Sequence, residues 1–174
     1  IFLLESPPAN GAYFYDPESL QNEFLFKAMM KIIGFSCDNL NREIKILGLN
    51  RFQEEGYFLI DATYQPVNDI FNPDVKNNRI FQDSELLLAD LNELKAKENK
   101  TPIILVKTNI FTLYNDFLTE RGFNIYNENI TVPFPSTGQQ ISFHQRINEV
   151  LCCHKILNDQ LLAKSYLLQY WHSR

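Results

Sequence analysis

Three short apolar runs, each followed by residues at helical spacing, constrain this chain more than any other feature. They are Ile1-Phe2-Leu3-Leu4, Tyr57-Phe58-Leu59-Ile60 and Pro102-Ile103-Ile104-Leu105-Val106. None alternates apolar with polar residues, so each reads as a strand covered on both faces, as strands of a parallel sheet are. Asn124-Ile125-Tyr126 makes a shorter fourth strand. Parallel neighbours need long crossover connections, and the segments between the runs have room for helices. The pattern predicts an α/β fold, three layers (α/β/α) with a four-stranded parallel sheet and right-handed crossovers.

The helical segments follow from spacing and caps. Asp16 as N-cap, with Pro17 at the first helical position, predicts a helix ending at Gly34 with Leu20, Phe24, Ala28 and Ile32 inward. A second is predicted from Asn39 to Glu55, weakened by Gly48, with Leu40, Ile44, Leu47 and Phe52 inward. The polar stretch that follows Asn68, up to about Arg79, reads as a long loop, and long loops in compact domains are often functional. Ser84 to Glu98 reads as a helix with Leu87, Leu91 and Leu94 on one face. Thr108 caps another, burying Ile110, Leu113, Phe117 and Leu118 and stopping at Gly122. A helix from about Ile141 carries Phe143, Ile147, Val150 and Leu151, and the tail to Arg174 reads as helical, with Leu161, Leu168 and Trp171 packing back.

A length of 174 residues suits one domain, 1–174. The net charge of −5 argues against a broad basic surface for nucleic acid, though not against a small local patch. Cys37, Cys152 and Cys153 are odd in number and form no CxxC, which suits a reducing compartment such as the cytoplasm. No run approaches the roughly 18 apolar residues of a membrane span. The start has no basic n-region of a signal peptide. Dinucleotide, P-loop and nucleophile-elbow motifs are missing. His144, His154 and His172 lack metal spacing, so neither metal nor cofactor is expected. Of the three, only His144, one turn into the helix after a Pro-rich loop, is placed to reach a pocket mouth. The sequence does not set the oligomeric state.

In open α/β sheets ligands bind beyond the carboxyl ends of the strands. Three segments belong at that edge: Glu5-Ser6-Pro7-Pro8, Asp61 with Tyr64-Gln65-Pro66, and Pro133-Phe134-Pro135-Ser136-Thr137-Gly138. Glu5, Ser6 and Asp61 are the candidate catalytic groups. Phe14 and Tyr15, with Tyr13, are candidates to stack a planar ligand or line its pocket. Ser136, Thr137 and Gly138 suit a phosphate at the start of the next helix. The plainer alternatives are a strand-end carboxylate held by backbone N–H groups for Glu5, a cap or a partner for Arg79 or Lys107 for Asp61, and a helix-capping turn for the Pro-rich loop.

In these motifs the chain resembles the uracil-DNA glycosylase superfamily. Leu4-Glu5-Ser6-Pro7-Pro8 is similar to that family's Gly-Glu-Ala-Pro-Gly or Gly-Gln-Asp-Pro-Tyr segment after the first strand. Leu59-Ile60-Asp61-Ala62-Thr63 is similar to its Leu-Leu-Asn-Ala-Val segment, and Phe134-Pro135-Ser136 to its His-Pro-Ser loop. Order and approximate spacing agree over about residues 1–150. The resemblance implies a hydrolase for DNA repair that flips a damaged or deaminated base into a pocket and breaks its N-glycosidic bond, with DNA or a nucleotide as partner.

Three positions depart from the pattern. Asp61 stands where the family reads the base edge with Asn, and an ionised carboxylate only accepts hydrogen bonds. Such a group suits an edge presenting an amino group, as cytosine does. Phe134 stands where a His would donate to the leaving base. Ser6 stands where some members orient water with Asp, and Glu5 beside it is the stronger base. Two other readings stay open: a weak or inactive member of the fold that binds nucleotide, nucleic acid or protein, and an unrelated α/β hydrolase or transferase using Glu5 and Asp61 as an acid–base pair.

Overall fold

A computed structural model describes residues 1–20 and 23–153. The strands are β1 (Phe2–Leu4), β2 (Leu59–Asp61), β3 (Pro102–Leu105) and β4 (Asn124–Ile125). The helices are α1 (Phe24–Ile32), α2 (Arg42–Glu54), α3 (Pro73–Gln82), α4 (Ser84–Glu93), α5 (Thr108–Thr119) and α6 (Gln140–Cys153). All strand pairs are parallel and the order is β2-β1-β3-β4. Leu4 stands opposite Asp61, and Leu3 lies between Ile60 and Leu105. This is the expected α/β/α architecture.

The continuous apolar runs divide between two cores because successive strand residues point to opposite faces. Ile1, Leu3, Ile60, Ile103 and Leu105 pack with Ile80, Leu87, Leu91, Ile110, Tyr114 and Leu118, which come from α3, α4 and α5. Phe2, Leu4, Leu59 and Ile104 pack with Phe26, Met29, Met30, Leu49, Phe52, Phe143 and Ile147, from α1, α2 and α6.

Several elements differ from expectation. The first helix starts at Phe24, not near Asp16. The Asp16 side chain accepts from Glu18 N–H at 3.0 Å, closing a local turn. Leu20 and Phe24 are exposed, and the inward face carries Phe26, Ala28, Met29 and Met30. In α2, Leu47 is exposed while Leu49 and Phe52 are buried. Gly48 is the contact point of α2 with its neighbours: a Cβ there would lie 2.7 Å from Met30 Sδ and 2.7 Å from Phe26 Cζ. The polar stretch up to Arg79 contains α3, whose cap is Asn72, accepting from the N–H groups of Asp74 and Val75, with Pro73 in the first turn. The helix beginning at Ser84 ends at Glu93, short of Glu98. The predicted helical tail from His154 to Arg174, with Leu161, Leu168, Trp171 and His172, lies outside the described residues. Among the described residues no helix is long and apolar enough to cross a membrane.

Candidate functional site

Central β1 lies between β2 and β3. From β1 the chain passes through α1 and α2 to β2 on one side. It then passes through α3 and α4, on the opposite face, to β3 on the other side. Where connections diverge like this, a crevice opens at the carboxyl ends of the two strands. Glu5 follows β1 and Lys107 lies just past β3, and their side chains form an ion pair across that crevice. Asn109 Nδ2, in the first turn of α5, donates to the other Glu5 oxygen at 2.7 Å. Among the described residues Glu5 is therefore held by two side chains, not by backbone N–H groups. Lys107 itself adopts φ 88°, ψ 138°, a conformation otherwise left to glycine. Its N–H donates to the Val132 carbonyl at 2.7 Å, which fixes the backbone there.

The crevice opens into a cavity of about 410 Å³. Glu5, Ser6, Asp61, Phe14, Tyr15, Phe134, Ser136 and Thr137 all line it, so the three separate turns do converge on one hollow. Gly138 does not line it; its φ of 81° turns the chain into α6. His144 is not among the lining residues either, and its ring packs edge-on against Phe143. Sequence reasoning missed Asn109 and Glu23, and named Lys107 only as a partner for Asp61, because the partners these residues take lie far away along the chain.

Each wall has an identifiable support. Buried Asn127 places the third turn: its side chain accepts from Leu105 N–H at 2.6 Å and donates to the Leu105 and Ile130 carbonyls, both at 2.9 Å. A parallel bridge from Val106 to Val132 then leads into Pro133 and Phe134. The Phe14 ring is wedged among Tyr15, Phe26 and Phe52, with centroids 4.9, 5.8 and 5.3 Å away. The Tyr15 hydroxyl donates to the Leu59 carbonyl at 3.0 Å and accepts from Leu59 N–H at 2.7 Å. Fully buried Lys45 of α2 donates to Glu23 at 2.8 Å, to the Ser19 carbonyl and to the Tyr13 carbonyl at 3.5 Å, tying the aromatic wall to the helix behind it.

The two carboxyl groups face different surroundings. Burial, helped by the nearby charge of Glu5, pushes Asp61 up from 3.8 to about 7. Near neutrality Asp61 therefore exists in both protonation states. As a neutral acid it offers one O–H donor and one carbonyl acceptor, the same pair an Asn amide offers. Arg79, an expected partner for Asp61, donates instead to Gln65 and Gln82. Lys107, the other expected partner, is engaged with Glu5. Glu23 is also held above the usual carboxylate range by burial, offset in part by Lys45. Lys107 is the only Lys or Arg lining the cavity among the described residues, which contain no cluster suited to a metal ion.

The fold and crevice thus define an α/β domain with an acid-lined, aromatic-walled cavity at its switch point. Compared with known proteins, the chain matches no family model, no curated protein and no solved structure.

Proposed function

We propose that the cavity receives an unpaired nucleic-acid base and that the protein hydrolyses its N-glycosidic bond, as a DNA-repair hydrolase of the cytoplasm would. The observation that carries this reading is the meeting of Glu5, Ser6, Asp61, the aromatic wall and the Ser136–Thr137 turn in one cavity of base-accommodating size. Neutral Asp61 removes the objection that an acceptor-only group would repel a base carbonyl, because its O–H donates there while its carbonyl accepts a ring N–H.

The geometry supports the following roles. Glu5, oriented by Lys107 and Asn109, takes a proton from a water that adds to C1′ of the sugar. The C1′–N bond breaks with its electrons passing to the base. Asp61 supplies a proton or hydrogen bond to the base as that charge develops, and the Lys107 ammonium adds favourable potential where Phe134 has no donor to give. Ser136 and Thr137 hold the adjoining phosphate.

The test incubates the protein with single- and double-stranded oligonucleotides carrying uracil, cytosine mispairs, hypoxanthine or xanthine, and assays abasic sites. Wild type should generate them, and Glu5→Gln should slow the reaction about 10²- to 10⁴-fold. No abasic sites on any substrate across a wide pH range would overturn hydrolysis. Calorimetric binding without turnover would favour the second reading, a non-catalytic base-binding domain, which the donor-free Phe134 at the cavity favours.

A further inference from the structure

A second cavity, of about 490 Å³, lies directly against the first. Tyr13, Tyr15, Leu59 and Asp61 line both, so Asp61 stands between the two chambers. Tyr13 and Tyr64 also line the second chamber and are each 50% exposed. The Tyr64 hydroxyl donates to Asp90, which holds the ring in place. Both rings are half-exposed and that of Tyr64 is anchored, yet nothing in the reaction above uses Tyr64.

We propose that the second chamber seats the base next to the target in an unpaired strand, so that the site grips two consecutive bases with Asp61 between them. This rests on the reading of the first cavity as a base pocket. In a duplex each base is already stacked and paired, and a protein gains affinity there mainly by neutralising phosphates with Lys and Arg. Here the net charge is −5, and among the described residues the single cation at either chamber, Lys107, is committed to Glu5. Beyond the Asp61 hydrogen bonds and the Ser136–Thr137 phosphate contact proposed above, stacking on aromatic side chains is the main source of affinity left, and it is available only to unpaired bases.

Fluorescence anisotropy tests this with labelled single strands carrying one 2′-fluorinated uracil, cytosine, hypoxanthine or xanthine nucleoside, whose glycosidic bond resists hydrolysis. Each strand is compared with versions bearing an abasic spacer on the 5′ or 3′ side of the target, with its duplex, and with the free nucleoside. One of the two spacers should weaken binding roughly 5- to 150-fold, the contribution of one stacked base. Tyr64→Ala should cost the same on the intact strand and nothing on that spacer strand. Tyr64→Phe, which keeps the ring, should bind like wild type. Spacers without effect on either side, Tyr64→Ala weakening both strands alike, or duplex or free nucleoside binding as tightly as the strand would each overturn the second chamber's role. In those cases binding that still needs the target base leaves the first reading standing. If no strand binds at all, both fall.

Discussion

At the scale of single residues, Asp61 and Lys107 set the charge balance of the cavity and its cost to the fold. The folded-state pKa of Asp61, about 7, lies above its ordinary 3.8, so the folded protein binds the proton more tightly than the unfolded chain. Its contribution to stability is therefore most favourable below pH 4, falls as pH rises from there, and the full cost is reached once pH passes 7. That cost is of the order of 4 kcal/mol. Asp61→Asn, which keeps the shape of the neutral acid, should raise the denaturation midpoint at pH 8 and leave it nearly unchanged at pH 4. It should also flatten the pH dependence of base binding, which in wild type weakens through neutrality if the base presents a carbonyl to Asp61. A base presenting an amino group would show the opposite slope, so calorimetry at pH 6 and pH 8 identifies the edge being read. Lys107 separates charge from backbone. Lys107→Ala and Lys107→Gly both remove the ammonium from Glu5, but only glycine relaxes at φ 88°. The glycine variant should be the more stable by about 1–3 kcal/mol in urea denaturation.

At the scale of elements, the site depends on how α1 and α2 press against the aromatic wall. Gly48 costs helix propensity, about 1 kcal/mol relative to alanine, yet it is what lets α2 lie against Met30 and Phe26. Gly48→Ala should therefore destabilise the fold by about 1–2 kcal/mol in denaturant titrations, because overpacking outweighs the gain in propensity. Lys45 and Glu23 form a second support. Lys45→Met leaves the largely buried Glu23 carboxylate without its cation and should cost about 3–5 kcal/mol, much of it recovered in the Lys45→Met/Glu23→Gln double variant. Neither partner was legible in the sequence. Asp16-Pro17-Glu18 imitates a helix start and drew the first helix seven or more residues too early, hiding Glu23 inside it. Conversely, Asn72-Pro73-Asp74 is a genuine start whose signal was outweighed by the polar stretch around it.

At the scale of the whole molecule, the four strands were readable because each is short and apolar on both faces, and the three motif turns because each follows a strand. Their arrangement was not readable. Period-two patterning says which residues are buried but not which strand lies beside which, and the order β2-β1-β3-β4 decides that Glu5 meets Lys107, 102 positions away. The two cores also made the helix faces hard to assign, since α1 and α2 pack on each other as well as on the sheet. As a result Leu47, apolar and correctly spaced, ended on the outside, whereas Leu20 is exposed because it lies before α1 begins.

Tyr15 joins these scales. Its hydroxyl occupies both the N–H and the carbonyl of Leu59 in β2, the outermost strand on that side, while its ring lines both chambers. An outermost strand with bare amide groups is a template for pairing with another chain. Any guest bulky enough to pull this phenol out of position would unseal the sheet, so overfilling the chambers should show itself as self-association in solution.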